Sequence, residues 1–381
     1  MRRIFKRQNT IQLNIFPKEN MISFLLCIYM YLNILKLFEI TLIYELLSLA
    51  IAFPIGLLGI LKGNKISFDK NYFFILGIIL LLYIILQIAN SRSAFNSIYI
   101  LTNGLILHTV LRNKLNSTFF YINYWCICLI FLRYLYSGQT ANSILFSASQ
   151  NVVSFNIFIN LVLLHCIEYI NSKKLSVLPV LLLVILSIWA VGRAGIIASI
   201  AYLIFIMYYT IKDKKLWLKI GSVAGIFIFG MMTYTMYQAE INNIIDIYFR
   251  KFSEENSIDY SEDPRMEFVK IYLNNMNPLT FFFGYNYDSE PYFLFWSKNP
   301  HNSFIRAHSF FGFLSFPFFL FLFLRLIKMI RKKEIFFFAV LILLLFRANM
   351  DSFFFFGPYD FIVFFLLLYG FQSKYLNLRI C

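Results

Sequence analysis

Arg193, Arg265, His301 and Asn302 are the polar residues whose types and placement in this chain could do chemistry. Arg193 lies in Val191-Gly192-Arg193-Ala194-Gly195, between two apolar stretches, and the flanking glycines allow close backbone approach. A cation there either serves a function at the membrane surface or snorkels to lipid headgroups. Arg265 follows Asp263-Pro264 in a long polar segment and taken alone is an ordinary surface arginine. His301 and Asn302 stand where that segment gives way to the next apolar run. A histidine at such a point can exchange a proton near neutral pH, or it can simply cap a helix by hydrogen bonding. His308, seven residues on, falls on the same face of a continuous helix, two turns deeper. Arg306 lies on another face, toward headgroups.

Other charges need partners. Arg347 and Asp351 have i, i+4 spacing and form a structural ion pair in this reading. Asp360 falls near the middle of an apolar window and Glu45 early in another, and an arginine such as Arg133 is a candidate partner for either. His108, His165 and Glu168 sit toward the opposite ends of their windows, away from the polar segment.

These residues are carried by a very apolar chain. Of 381 residues, 60% are hydrophobic and 14% charged, and the mean hydropathy is +0.70. An ordinary soluble globule is excluded, and the expected class is an all-α polytopic membrane protein. The 47 Phe and 25 Tyr, with abundant Ile, Asn and Lys, reflect in part a codon bias toward A and T. The net charge of +15 is spread between the apolar windows rather than gathered on a face, so no nucleic-acid partner is expected. The five cysteines show no disulfide or zinc spacing, and Cys126-x-Cys128 reads as packing.

Apolar windows occur at about 21–38, 40–61, 71–89, 94–111, 117–136, 151–169, 175–191, 194–211, 217–236, 304–327, 335–350 and 353–371. The expected layout is therefore about 12 transmembrane helices: nine in 1–236, a large loop over 237–303, and three in 304–381. Arg2, Arg3, Lys6 and Arg7 precede a retained first helix rather than a removed signal peptide. With the N-terminus cytoplasmic, most of the 34 Lys and Arg fall on the inner side. Both termini are then cytoplasmic and the loop faces outward.

Ten of the 19 carboxylates lie in that loop, and solvation is their simplest role. Residues 242–252 read as a short amphipathic helix, and Pro264 opens a second helix over 265–274, since proline suits a first helical position. The loop aromatics, from Phe281 to Trp296, suit a membrane interface or a sugar-stacking surface.

Three elements occur in order: Gly192-Arg193-Ala194-Gly195; Arg265 followed by Pro278 and Gly284; and His301-Asn302-x-Phe304 followed by Gly312. Over roughly 191–316 the chain resembles the O-antigen polymerase/O-antigen ligase superfamily of bacterial membrane glycosyltransferases. It lacks the Ser or Thr often found beside the first arginine. The resemblance implies a glycosyltransferase-C-like fold in the bacterial inner membrane and a periplasmic active site. It implies transfer of a glycan from undecaprenyl diphosphate to an acceptor hydroxyl, without a metal or other cofactor. Arg193 and Arg265 would hold the diphosphate, because arginine forks match phosphate oxygens. His301 would take or orient the acceptor proton, and Asn302 would orient it or cap the helix, with His308 nearby in substrate binding. The implied partners are an undecaprenyl-diphosphate-linked oligosaccharide, membrane lipids, a chain-length regulator and a flippase. A polymerase acting on another lipid-linked repeat unit is preferred to a ligase acting on lipid A–core. A flippase and a non-catalytic membrane scaffold are the remaining alternatives; the chain shows no repeat between its halves, and a scaffold would leave Arg193, Arg265 and His301 on one face unexplained.

Overall fold

A chain this apolar must satisfy its backbone polar groups internally, and helices do so within one segment. The computed structural model describes residues 17–38, 42–62, 65–66, 69–145, 150–212, 242, 264–295 and 299–369. The elements before the polar segment are α1 (Lys18–Leu35), α2 (Leu42–Ile60), α3 (Lys70–Ala89), α4 (Ser97–Arg112) and α5 (Ser117–Tyr136). They continue with α6 (Ala141–Ile144), α7 (Gln150–Ser172), α8 (Leu178–Trp189) and α9 (Arg193–Ile211). After residue 263 come α10 (Pro264–Asn274), α11 (Pro278–Phe283), α12 (Pro291–Phe295), α13 (Ser303–Phe311), α14 (Ser315–Arg331), α15 (Ile335–Met350) and α16 (Asp360–Tyr369). Leu61–Lys62 and Lys65–Ile66 pair as a short antiparallel ladder. Among the described residues the regular elements are otherwise helices.

Among the described residues six helical runs are long and apolar enough to cross a membrane: α2, α3, α5, α7, α9 and the stretch 303–331. α8, α15 and α16 are apolar but shorter. The window 217–236 and the helix expected over 242–252 lie outside the described residues, Asn242 apart.

α7 is the axis of the bundle. It is 83% buried over its most apolar window, against 22% for α3, and it packs on α5, α8, α9 and α15. α3, by contrast, carries exposed Phe74, Ile75, Leu81 and Ile88, an apolar surface of the kind that lipid tails accept.

Two windows differ from expectation. The run 304–327 is not one helix: it breaks at Gly312, where φ is +52°. The window 353–371 is helical only from Asp360, because Phe353–Tyr359 folds into the interior as irregular chain. Side chains satisfy that segment. Asp360 accepts from the amides of Gly357 (2.9 Å) and Phe355 (3.2 Å). Asn103 donates to Gly357 O (2.9 Å) and accepts from Phe361 N (2.9 Å). The Tyr29 hydroxyl donates to Pro358 O (2.8 Å), and Tyr359 donates to Asn156 (2.8 Å). Asp360 thus opens a helix rather than sitting in mid-span, and its partners are backbone amides. Glu45 pairs with Lys36 (2.9 Å) and accepts from the Tyr99 hydroxyl, so neither acid turns to Arg133, which is exposed.

The polar contacts gather at two ends of the bundle. At one, the turn Asn90–Arg92 and the starts of α7 and α9 lie with residues 264–309 and 347–360. At the other lie Asn20 with Asn116, Leu115 with Asn171, Glu168 with Ser176, and Arg325 with Glu334. The candidate site residues belong to the first end.

Candidate functional site at one end of the bundle

α13 begins where Asn302 turns its side-chain oxygen onto the amides of Phe304 (2.8 Å) and Ile305 (3.1 Å). An asparagine at this position satisfies two of the orphan donors of the first turn, so of its two expected roles capping is the one seen. Its amide nitrogen reaches Asn349 Oδ1 (3.0 Å) at the end of α15. Ser303 donates to Asp351 O (2.7 Å) from the next position. These bonds sew the entry of α13 to the exit of α15.

His301 sits just before the cap with φ +48°, a left-handed conformation that histidine adopts more readily than most residues. Its amide donates to Asn299 Oδ1 (2.9 Å). The ring presents Nδ1 to Asp351 Oδ1 at 3.5 Å, long for a hydrogen bond, so the contact is mainly electrostatic. A carboxylate facing Nδ1 favours the neutral tautomer with its proton there and its lone pair on Nε2. The imidazole is about one-fifth exposed and Asp351 is buried.

Arg347 extends this pair. Its Nη2 lies 3.7 Å from Asp351 Oδ2 and donates to Asn151 O (3.1 Å) on α7. The expected i, i+4 pair is therefore present, and both side chains are buried. The start of α9 closes on the same spot. A Cβ at Gly192 would overlap Asn151 Oδ1, one at Gly195 would overlap Ser154 Oγ, and the Gly195 position lies 3.6 Å from Arg347 Nη1. The two glycines thus seat α9 on α7, with Arg193 half-buried at the first helical position between them.

α10 reaches the site from the polar segment. Proline at its first position confirms the expected helix start, and the ring of Phe268 packs 5.6 Å from that of His301. Arg265 lies in the first turn of α10, three residues before Phe268, and its side chain is outside the described residues. Phe268, Tyr272, Tyr287 and Phe293 form a small apolar core that joins residues 264–295 to Ile305 of α13. Burial pushes the Tyr272 hydroxyl pKa up. Burial does the same for Tyr287, with Arg306 and Arg92 pulling partly back.

His308 is not beside His301. The helix starts only at Ser303, so no continuous face joins the two histidines. His308 is buried, with Nδ1 2.7 Å from the Tyr272 hydroxyl and Nε2 3.2 Å from Phe281 O. A carbonyl can only accept, so Nε2 donates and the neutral ring accepts from Tyr272. This histidine anchors the polar segment. Arg306 is likewise engaged inside, donating to Ser352 O (2.8 Å) and Phe356 O (3.0 Å) rather than reaching toward headgroups.

Gly284 and Gly312 lock the segment down. A Cβ at Gly284, where φ is +88°, would overlap the carbonyls of His308 and Ser309. One at Gly312 would overlap Phe282 O and the Phe283 carbonyl carbon. Each glycine lets one strand of chain rest on the backbone of the other.

The site thus joins His301, the Arg347–Asp351 pair, the start of α9 with Arg193 and the first turns of α10. Sequence reasoning missed the link between Asp351 and His301, and it missed Arg92, described below. A cation in the short Ser91-Arg92-Ser93 turn between two apolar windows was the available signal. No protein-family model, curated protein or solved structure matches this chain.

Proposed function

We propose that this chain is a metal-independent glycosyltransferase of the bacterial inner membrane, an O-antigen polymerase. In this reading it has about twelve spans, cytoplasmic termini and a periplasmic loop over 237–303. It moves a glycan from undecaprenyl diphosphate to the non-reducing end of another lipid-linked repeat unit. One observation supports the reading: the His301 imidazole is backed by buried Asp351, with Phe268 of the helix that carries Arg265 against its ring, and Asp351 pairs with Arg347, against which the start of α9 is packed.

The chemistry follows from residue types. The acceptor oxygen attacks the anomeric carbon, its proton passes to His301 Nε2, and the bond from that carbon to the diphosphate oxygen breaks. Asp351 stabilises the imidazolium that forms, and Arg347 holds Asp351 in place from its other side. Arg193 and Arg265 hold the departing diphosphate, whose charge grows in the transition state. Fixed arginines supply that stabilisation, so activity should survive chelation of divalent cations.

The test is lipopolysaccharide banding in a deletion strain carrying Arg193→Ala, Arg265→Ala or His301→Ala. Each should abolish the ladder while the protein stays in the membrane. Normal ladders from all three would overturn the mechanism. The deletion itself separates acceptors: a single repeat unit on the core supports a polymerase, and bare core points to a ligase, the second reading of the same site.

A further inference from the structure

Arg92 lies in the turn after α3, almost 200 residues from the polar segment it touches. Its side chain is 4% exposed. Nε donates to Asn286 Oδ1 (2.8 Å) and Asp288 Oδ2 (3.1 Å). Nη1 donates to Ser309 O (3.0 Å) and Ser309 Oγ (2.7 Å) on α13. The guanidinium also lies between two rings, 5.1 Å from the centroid of Tyr287 and 4.7 Å from that of Phe310. Asn90 completes the junction, donating to Phe283 O (2.6 Å) and accepting from Asn286 (3.0 Å). One short turn thus holds α3, the polar segment and α13 together.

From Arg92 a continuous row of rings leads to the site. Tyr287 stacks on Phe293 at 4.6 Å, Phe293 packs on Phe268 at 4.9 Å, and Phe268 packs on His301 at 5.6 Å. α10, which carries Arg265, is part of this row through Phe268.

We propose that Arg92 is a positioning residue: it clasps residues 264–295 onto α13 and, through Tyr287, Phe293 and Phe268, sets the orientation and exposure of the His301 imidazole. Burial of an arginine whose Nε and Nη1 reach four acceptors on two separate segments is what a clasp requires, since a guanidinium presents its donors in a fixed fork. The inference concerns the imidazole itself and holds whichever reaction His301 serves.

The histidines provide the readout. The chain has four, and His108, His165 and His308 are buried while His301 is partly exposed. In the full-length protein in detergent, diethyl pyrocarbonate modification is followed by mass spectrometry at each histidine. In Arg92→Ala, loss of the charge-assisted bonds should speed modification of His301 about tenfold. His308, held beneath the same segment, should also become reactive, while His108 and His165 keep their wild-type rates. Wild-type rates at both His301 and His308 would overturn the proposal. If all four histidines of Arg92→Ala react alike, the fold is lost. Asn286→Ala, which removes one Nε acceptor, then decides by the same two-histidine criterion. Tyr287→Leu keeps the hydrogen-bonding groups and removes the stacked ring. A faster His301 in that variant supports the row of rings, and an unchanged one overturns it as the route.

Discussion

At the scale of single residues, the left-handed backbone of His301 separates its chemistry from its conformation. Asparagine tolerates this region and a β-branched residue does not. His301→Asn should therefore accumulate in the membrane at the wild-type level and lose all chain lengthening. His301→Val should in addition be destabilised by about 1–3 kcal/mol. Thermal unfolding in detergent, beside the banding assay, separates the two effects, and a ladder from His301→Asn would remove the imidazole from the mechanism. The buried pair makes a second prediction. Arg347→Leu leaves Asp351 without its neighbouring cation and should cost about 3–5 kcal/mol. Arg347→Leu combined with Asp351→Leu should recover most of that loss. Equal stability of the single and double variants would show that the two charges are not coupled. The sequence made Arg347 and Asp351 legible as a pair, because i, i+4 spacing is local. It could not show that His301, 50 residues earlier, faces the same carboxylate, because that contact exists only after α13 and α15 have packed.

At the scale of elements, the helices were legible because lipid-facing hydropathy is a composition signal, while their interruptions were not. A run such as Phe353-Phe354-Phe355-Phe356 has no periodicity to distinguish helix from buried irregular chain. The break at Gly312 looked equally apolar from either side, and its cause is the Phe282 backbone, which lies far off in sequence. Gly284→Ala and Gly312→Ala must each displace backbone at a left-handed position, and each should destabilise by more than about 1 kcal/mol. Gly77 offers the opposite case. It lies inside α3 with open space around its Cα, so Gly77→Ala should stabilise by about 0.5–1 kcal/mol. Unfolding midpoints of the three variants check the contrast, and a stabilised Gly312→Ala would refute the close approach. The motif glycines were visible in sequence as permissive residues. Which backbones they admit was not.

At the scale of the whole molecule, the sorting of polar contacts to two ends can be tested by labelling. In a variant lacking native cysteines, Asn274→Cys and Lys332→Cys place exposed thiols at opposite ends. A membrane-impermeant maleimide should label the first in cells with a permeabilised outer envelope and the second only after the inner membrane is opened. Labelling of both from the same side would overturn the topology. Basic residues between the windows set the orientation that this labelling tests, whereas the central place of α7 was not legible, since its window is less apolar than those of α2, α3 and α9. The irregular stretch ahead of α16 has a consequence for how the chain is made. Tyr29, Asn103 and Asn156 leave the ribosome long before their partners at residues 357–361. Until synthesis reaches that stretch, the Tyr29 hydroxyl and the side-chain oxygens of Asn103 and Asn156 lack these partners, which is unfavourable in hydrocarbon. These bonds, and the part of the bundle that they close, can therefore form only late in translation, when residues 357–361 arrive.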